Sequence, residues 1–177
     1  MARIWDQYAV VETNNVASVR TGQIKAQYPV ADGATEDPEN GMLLVVSDVN
    51  EEISFPTNGQ ETKIYLHASE ERIYQPHLGR SGWVLDRETQ IPKMLKLSIG
   101  DTFETNAVDD GDFANLEAVE AELAVPNTVF GIGHASGLIE LKNDSLTVGD
   151  YTVLLVLLGV ITLPNGEPGM KFAVVRA

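Results

Sequence analysis

The feature that most constrains this chain is its punctuation. Short apolar stretches are closed again and again by turn signals: Asn40-Gly41, Asn58-Gly59, Gly100-Asp101 and Pro164-Asn165-Gly166-Glu167-Pro168-Gly169. Asn-Gly and related dipeptides readily supply the turn conformations that reverse a strand. The intervals between them suit strands and leave little room for helices. Strands are expected at 42–46, 63–67, 83–85, 93–99, 102–105, 128–132, 138–141, 151–163 and 170–175. The stretch 42–46 is continuously apolar, which implies burial on both faces. At 93–99, Met94, Lys96 and Ser98 alternate with Leu95, Leu97 and Ile99, as in a half-buried strand. Residues 69–74 read as a helical turn or a bend.

Helical spacing is sustained at 113–123, where Phe113, Leu116, Val119 and Leu123 recur while Glu117, Glu120 and Glu122 suit a solvated face. Asp112 is placed to cap that helix and Pro126 to end it. The expected fold is therefore mainly β, a β-rich α+β chain. Its core is barrel- or sandwich-like, built of short antiparallel strands with one short helix.

Residues 1–31 differ from the rest. Asn14, Asn15 and Gly22 separate short apolar patches, and Tyr28-Pro29 closes the segment. The segment is expected to be an N-terminal arm, with 32–177 the β-rich domain; the alternative is an ordinary first strand and loop. As an arm it would bind a partner through Arg3, Ile4, Trp5, Tyr8 and Tyr28. Large aromatics near a chain end either anchor a partner or fold back onto the core.

Charge bears on what the partner can be. The 177 residues carry a formal net charge of -14. Residues 32–62 hold Asp32, Glu36, Asp37, Glu39, Asp48, Glu51, Glu52 and Glu61 with no Lys or Arg, and 97–141 are likewise acidic without a basic residue. Such a chain is expected to be repelled by nucleic acid and by anionic membranes. The more balanced stretch 63–96 is left to face a partner, or the acidic loops simply maintain solubility. The longest apolar run, 153–163, is too short for a bilayer, which takes about 20 residues. The start of the chain shows no apolar signal core. With no cysteine there are no disulfides, thiolate metal sites or cysteine nucleophiles.

No catalytic residue, cofactor or metal is expected. The histidines, His67, His77 and His134, form no His-x-His pair, and a catalytic zinc takes about three protein ligands held close together. The stretch from Gly131 to Gly137 has Gly-x-Gly-x-x-x-Gly spacing, which departs from the dinucleotide fingerprint and reads as a strand-linking loop. Ser136 lies near His134 without a nucleophile elbow. Asp109-Asp110-Gly111-Asp112 reads as a solvated turn, with weak calcium binding as the alternative.

Four stretches, taken in order, resemble capsid decoration (cement) proteins of tailed bacteriophages. They are Arg20-Thr-Gly-Gln-Ile-Lys-Ala-Gln-Tyr-Pro29, Glu39-Asn-Gly-Met-Leu-Leu-Val-Val46, Tyr65-Leu-His-Ala-Ser-Glu-Glu-Arg-Ile-Tyr74 and Leu97-Ser-Ile-Gly-Asp-Thr-Phe103. The resemblance is one of style and order over 20–105. It implies a β-rich homotrimer on the exterior of a virion, made in the host cytoplasm, that clamps adjacent major capsid protein subunits. It carries no catalytic residues. A tail, neck or head-fibre structural protein and a carbohydrate-binding module are the alternatives.

Overall fold

The computed structural model describes residues 3–5, 8–34, 36–69, 84–143 and 147–177. Their strands form two sheets, and the β-rich expectation holds. The first sheet joins β1 (Val11–Asn15), β7 (Thr102–Thr105), β12 (Pro168–Arg176), β11 (Leu154–Thr162), β9 (Phe130–Gly133), β10 (Ile139–Lys142) and β8 (Val108–Asp109), in that order. Its pairs are antiparallel except β10 with β8. The second sheet runs β2 (Ile24–Lys25), β6 (Met94–Leu95), β5 (Ile64–His67), β3 (Leu43–Ser47) and β4 (Glu52–Ser54), all antiparallel.

Neither sheet closes into a barrel, so the sandwich alternative is the one realised. Leu43, Ile64, Leu66, Leu95 and Leu97 from the second sheet and its flank share one core with Phe103, Ile139, Leu155, Leu157 and Phe172 from the first. Burying each such side chain contributes roughly 1.5–3 kcal/mol. The uncharged run at 151–163 supplies β11, the middle strand of the first sheet, whose Leu154, Leu155, Val156 and Leu157 are all buried. A second cluster, with Met42, Leu44, Val46, Ile53, Met94 and Ala107, is flanked by Tyr28, Phe55 and Tyr65.

The glycine-rich stretch is the β9–β10 hairpin. A Cβ on Gly131 would sit 2.6 Å from Ile139 Cγ2 and 3.2 Å from Phe172 Cε1. Glycine is required there so that two large neighbours can close over the strand.

Some local expectations are corrected. The helix α2 spans Leu116–Glu122 rather than 113–123, and its cap is Asn115, whose Oδ1 accepts the Ala118 N–H at 3.0 Å. Asp112 does not cap it, because its carboxylate takes Lys142 Nζ at 3.1 Å and the Asn143 N–H at 3.3 Å. In the stretch 93–99 only Met94 and Leu95 form a strand, β6, flanked by backbone bonds from Ala68 N–H to Lys93 O and from Lys96 N–H to Gln23 O, and Ile99 is exposed. A further helix, α1 (Ala17–Thr21), forms because Asp101 Oδ1 accepts the Ala17 N–H at 2.9 Å. A side chain 84 residues away thus supplies a cap that no local pattern announces. The readings at 70–74, at His77 and at Trp83 lie outside the described residues.

Residues 8–31 do not project from the body. β1 pairs with β7 in the first sheet and β2 with β6 in the second. Ala9, Val10, Val11 and Val16 are buried. α1 links the two sheets, so this part of the expected arm is built into the sandwich. The alternation there was too short to separate a strand from an arm by period.

Candidate functional site

The five residues expected to bind a partner separate into two places. Arg3 bridges Asp109, and the Ile4 N–H donates to Val108 O at 3.1 Å, so these residues lie along the outer edge of β8. The Arg3 guanidinium forms a two-pronged ion pair with Glu39, at 2.9 Å to Oε1 and 2.7 Å to Oε2. Glu39 Oε2 also accepts the Ala9 N–H. Ile4 and Trp5 pack against the main core. Arg3, Ile4 and Trp5 are therefore engaged within the chain, while Tyr8 is 47% exposed.

Tyr28 belongs to a different group, on the second sheet. Its hydroxyl donates to Asp48 Oδ1 at 3.1 Å, and Lys25 Nζ lies 5.7 Å from its ring centroid. Asp48 also binds Lys25 Nζ at 2.9 Å and Lys63 Nζ at 2.5 Å. The bonds from Lys63 and then Lys25 hold the Asp48 carboxyl well below the usual carboxylate range, and Asp48 in turn raises Lys25. The group is open to solvent, so salt weakens it and it contributes little to stability. Its members lie up to 38 residues apart and have no common motif. Lys96 is exposed beside the β2–β6 pair, where its N–H donates to Gln23 O at 3.2 Å. An otherwise acidic chain thus gathers cations and an aromatic ring at one place.

Of the three histidines, His67 and His134 lie among the described residues. His67, at the end of β5, is fully buried, and its Nδ1 lies 2.7 Å from Glu39 O while Nε2 lies 2.8 Å from Ser69 Oγ. A carbonyl only accepts, so Nδ1 carries the proton and Nε2 accepts from Ser69, whose Oγ in turn accepts the Lys93 N–H at 2.9 Å. Burial lowers the His67 pKa to about 4. Its ordinary value is about 6.5, so the unfolded chain binds a proton through that window and the fold does not. Stability is full above about pH 6.5 and falls as pH drops towards 4. Between pH 7 and pH 5 the expected loss is about 2 kcal/mol, measured by urea unfolding. His67→Gln is expected to be less stable at pH 7 and to lose most of this pH dependence. An unchanged slope in that variant would contradict the assignment.

His134 Nδ1 accepts the Ser136 N–H at 3.2 Å and lies 2.9 Å from Ser136 Oγ, a local turn inside the β9–β10 hairpin. Beside it, a groove of about 290 Å³ is lined by Ala31, Glu36, Ser54, Phe55, Ala135 and Ser136. Among the described residues, Phe55 is its one aromatic lining residue.

In the aspartate-rich turn, Gly111 N–H donates to Asp109 Oδ1 at 3.1 Å, and burial pushes the Asp109 carboxyl up. Lys142 Nζ lies 2.9 Å from buried Glu140 Oε1, a charge contact without hydrogen-bond alignment, and it also binds Asp112. Among the described residues, no group of three or more Asp, Glu and His side chains is arranged to hold a metal ion. No helix among them is long and apolar enough to cross a membrane.

Sequence reasoning missed Glu39 and Asp48 as hubs, because each gathers partners through folding rather than through spacing. Comparison with models of known protein families, with curated proteins and with solved structures finds no match.

Proposed function

We propose that this chain is a structural virion protein that binds the outside of a tailed-bacteriophage capsid and stabilises contacts between major capsid protein subunits. One observation carries the reading. The four stretches that resemble decoration proteins meet in a single core, through Ile24 from the first, Leu43 from the second, Leu66 from the third and Leu97 with Phe103 from the fourth. The resemblance therefore concerns one folded unit rather than scattered segments. In the family it resembles, that unit self-associates as a homotrimer.

The partner face in this reading is the side of the second sheet bearing Tyr28, Lys25 and Lys63. The rest of the chain carries all of the net negative charge. A cationic, aromatic patch is the part least repelled by an acidic partner surface. The test is co-sedimentation of purified chain with undecorated capsids. The chain is expected to pellet with them, and Lys25→Glu with Lys63→Glu to weaken binding at least tenfold at low salt. Failure of the unaltered chain to bind capsids, or binding to isolated tails in preference, would overturn the proposal.

A further inference from the structure

We infer that Asn58 is a covalent modification site, where attack by the backbone nitrogen of Gly59 on the Asn58 side-chain amide yields aspartyl and isoaspartyl residues without an enzyme.

An asparagine followed by glycine is open to this reaction because glycine has no Cβ to obstruct the approach of its own nitrogen. That nitrogen bonds to the asparagine Cγ and the Cγ–Nδ2 bond breaks. Nδ2 leaves as ammonia, with the proton that the glycine N–H gives up. Water then opens the five-membered succinimide at either of its two carbonyls. One opening leaves aspartate. The other routes the main chain through the former side chain and lengthens it by one carbon. Apart from water, no co-reactant is consumed. The first step needs an amide that is free to turn and a glycine N–H that is not already committed to an acceptor.

The chain holds three Asn-Gly pairs, at 40–41, 58–59 and 165–166, and the fold treats them differently. Asn40 is buried, its Oδ1 accepts the Ser69 N–H at 2.7 Å and its Nδ2 donates to Ser69 O at 3.2 Å. The Gly41 N–H donates to His67 O at 2.8 Å, so both reacting groups are occupied. Asn165 is exposed, but Glu167 holds its amide at both ends, with Nδ2 donating to Oε2 at 2.9 Å and Oδ1 accepting the Glu167 N–H at 3.2 Å. The Gly166 N–H donates to Leu163 O at 2.8 Å.

Asn58 is exposed in the turn between β4 and β5, and the Gly59 N–H makes no hydrogen bond among the described residues. Asn58 Oδ1 accepts the Gln60 N–H at 3.1 Å, a bond from asparagine to the second residue on. That bond draws electron density from Cγ and keeps it beside the intervening Gly59 nitrogen. Nδ2, the leaving group, reaches Gln60 Oε1 only at 3.5 Å. The Asn58 N–H donates to Glu61 Oε1 at 3.2 Å, which does not engage the attacking nitrogen. Gly59 itself is packed against the β9–β10 hairpin, where an added Cβ would sit 2.5 Å from Gly133 O. A main chain longer by one carbon at Asn58 therefore disturbs the seating of this turn of the second sheet on the first.

Peptide mapping by mass spectrometry tests the site on the full chain held at about pH 8 and 37 °C, since deamidation adds about 1 Da. The peptide containing Asn58 is expected to convert at least fivefold faster than that containing Asn165, with Asn40 slowest. In chain unfolded by urea the three should convert at similar rates, which assigns the difference to the fold. Asn58→Gln is expected to remove the fast-forming acidic species on ion exchange. The isoaspartyl form should unfold at lower urea than fresh Asn58→Asp, which carries the charge without the longer main chain. Equal or faster conversion at Asn165 or Asn40 in the folded chain, or the same ranking in the unfolded chain, would overturn the assignment. Equal urea midpoints would overturn its consequence for the turn.

Discussion

Phe172→Ala is expected to destabilise the fold by about 4 kcal/mol, within the range for deleting a fully buried phenylalanine. Phe172 lies on β12, is fully buried, and its ring centroid is 5.9 Å from that of Phe103 on the adjacent β7. Its edge also fills the space over Gly131. Truncation would open a cavity bordered by three strands of the first sheet, and the hydrogen-bonded ladders on both sides of β12 limit how far the walls can relax. For a chain of this size the melting temperature should fall by roughly 8–16 °C. Phe172→Leu keeps most of the volume and should cost well under half as much. Urea unfolding of the three proteins provides the comparison. A loss below about 1 kcal/mol for the alanine variant would mean that the two sheets do not share this core.

The second large effect is expected at Glu39→Ala, with a loss of about 3 kcal/mol. Breaking one side of a buried ion pair leaves the other charge without compensation. Glu39 is buried and receives both prongs of the Arg3 guanidinium as well as the Ala9 N–H. Arg3 Nε is already buried without a partner among the described residues, so loss of the carboxylate would strand the whole group. Arg3 keeps 23% of its side chain exposed, and water reaching it holds the expected cost at the lower end of the usual range. The signature is non-additivity. Arg3→Ala with Glu39→Ala should be no less stable than Glu39→Ala alone. A fully additive double variant would show that the pair contributes nothing as a pair.

Both effects bear on what was legible in the sequence. Phe172 sits in a run of alternating apolar residues that any period-two reading assigns to a strand. The neighbouring uncharged run at 151–163 reads as a strand, and β11 bears that out: Leu154 to Leu157 are buried, while Leu158–Thr162 extend past the pairing with β9. Turn residues likewise placed the β9–β10 and β11–β12 hairpins. Glu39 was legible only as one more carboxylate in an acidic loop. Its role depends on Arg3, 36 residues earlier, and on His67, 28 residues later. The helix α1 was hidden for the same reason, because its cap comes from Asp101.

The arm at 1–31 illustrates the limit from the other direction. Weak alternation and hinge-like Asn and Gly residues suggested a detached segment, yet tertiary pairing of β1 with β7 overrides weak local preference. Removing residues 1–20 would therefore delete an edge strand, and loss of assembly in such a truncation would not separate partner contact from folding. Point changes at Lys25 and Lys63, which are open to solvent, make that separation.

The most direct test of the capsid reading is electron cryo-microscopy of particles assembled with and without this chain. The account predicts added density on the outer surface, seated across contacts between major capsid protein subunits, with the second sheet turned towards the shell. An unchanged shell, or density confined to the tail or neck, would contradict it.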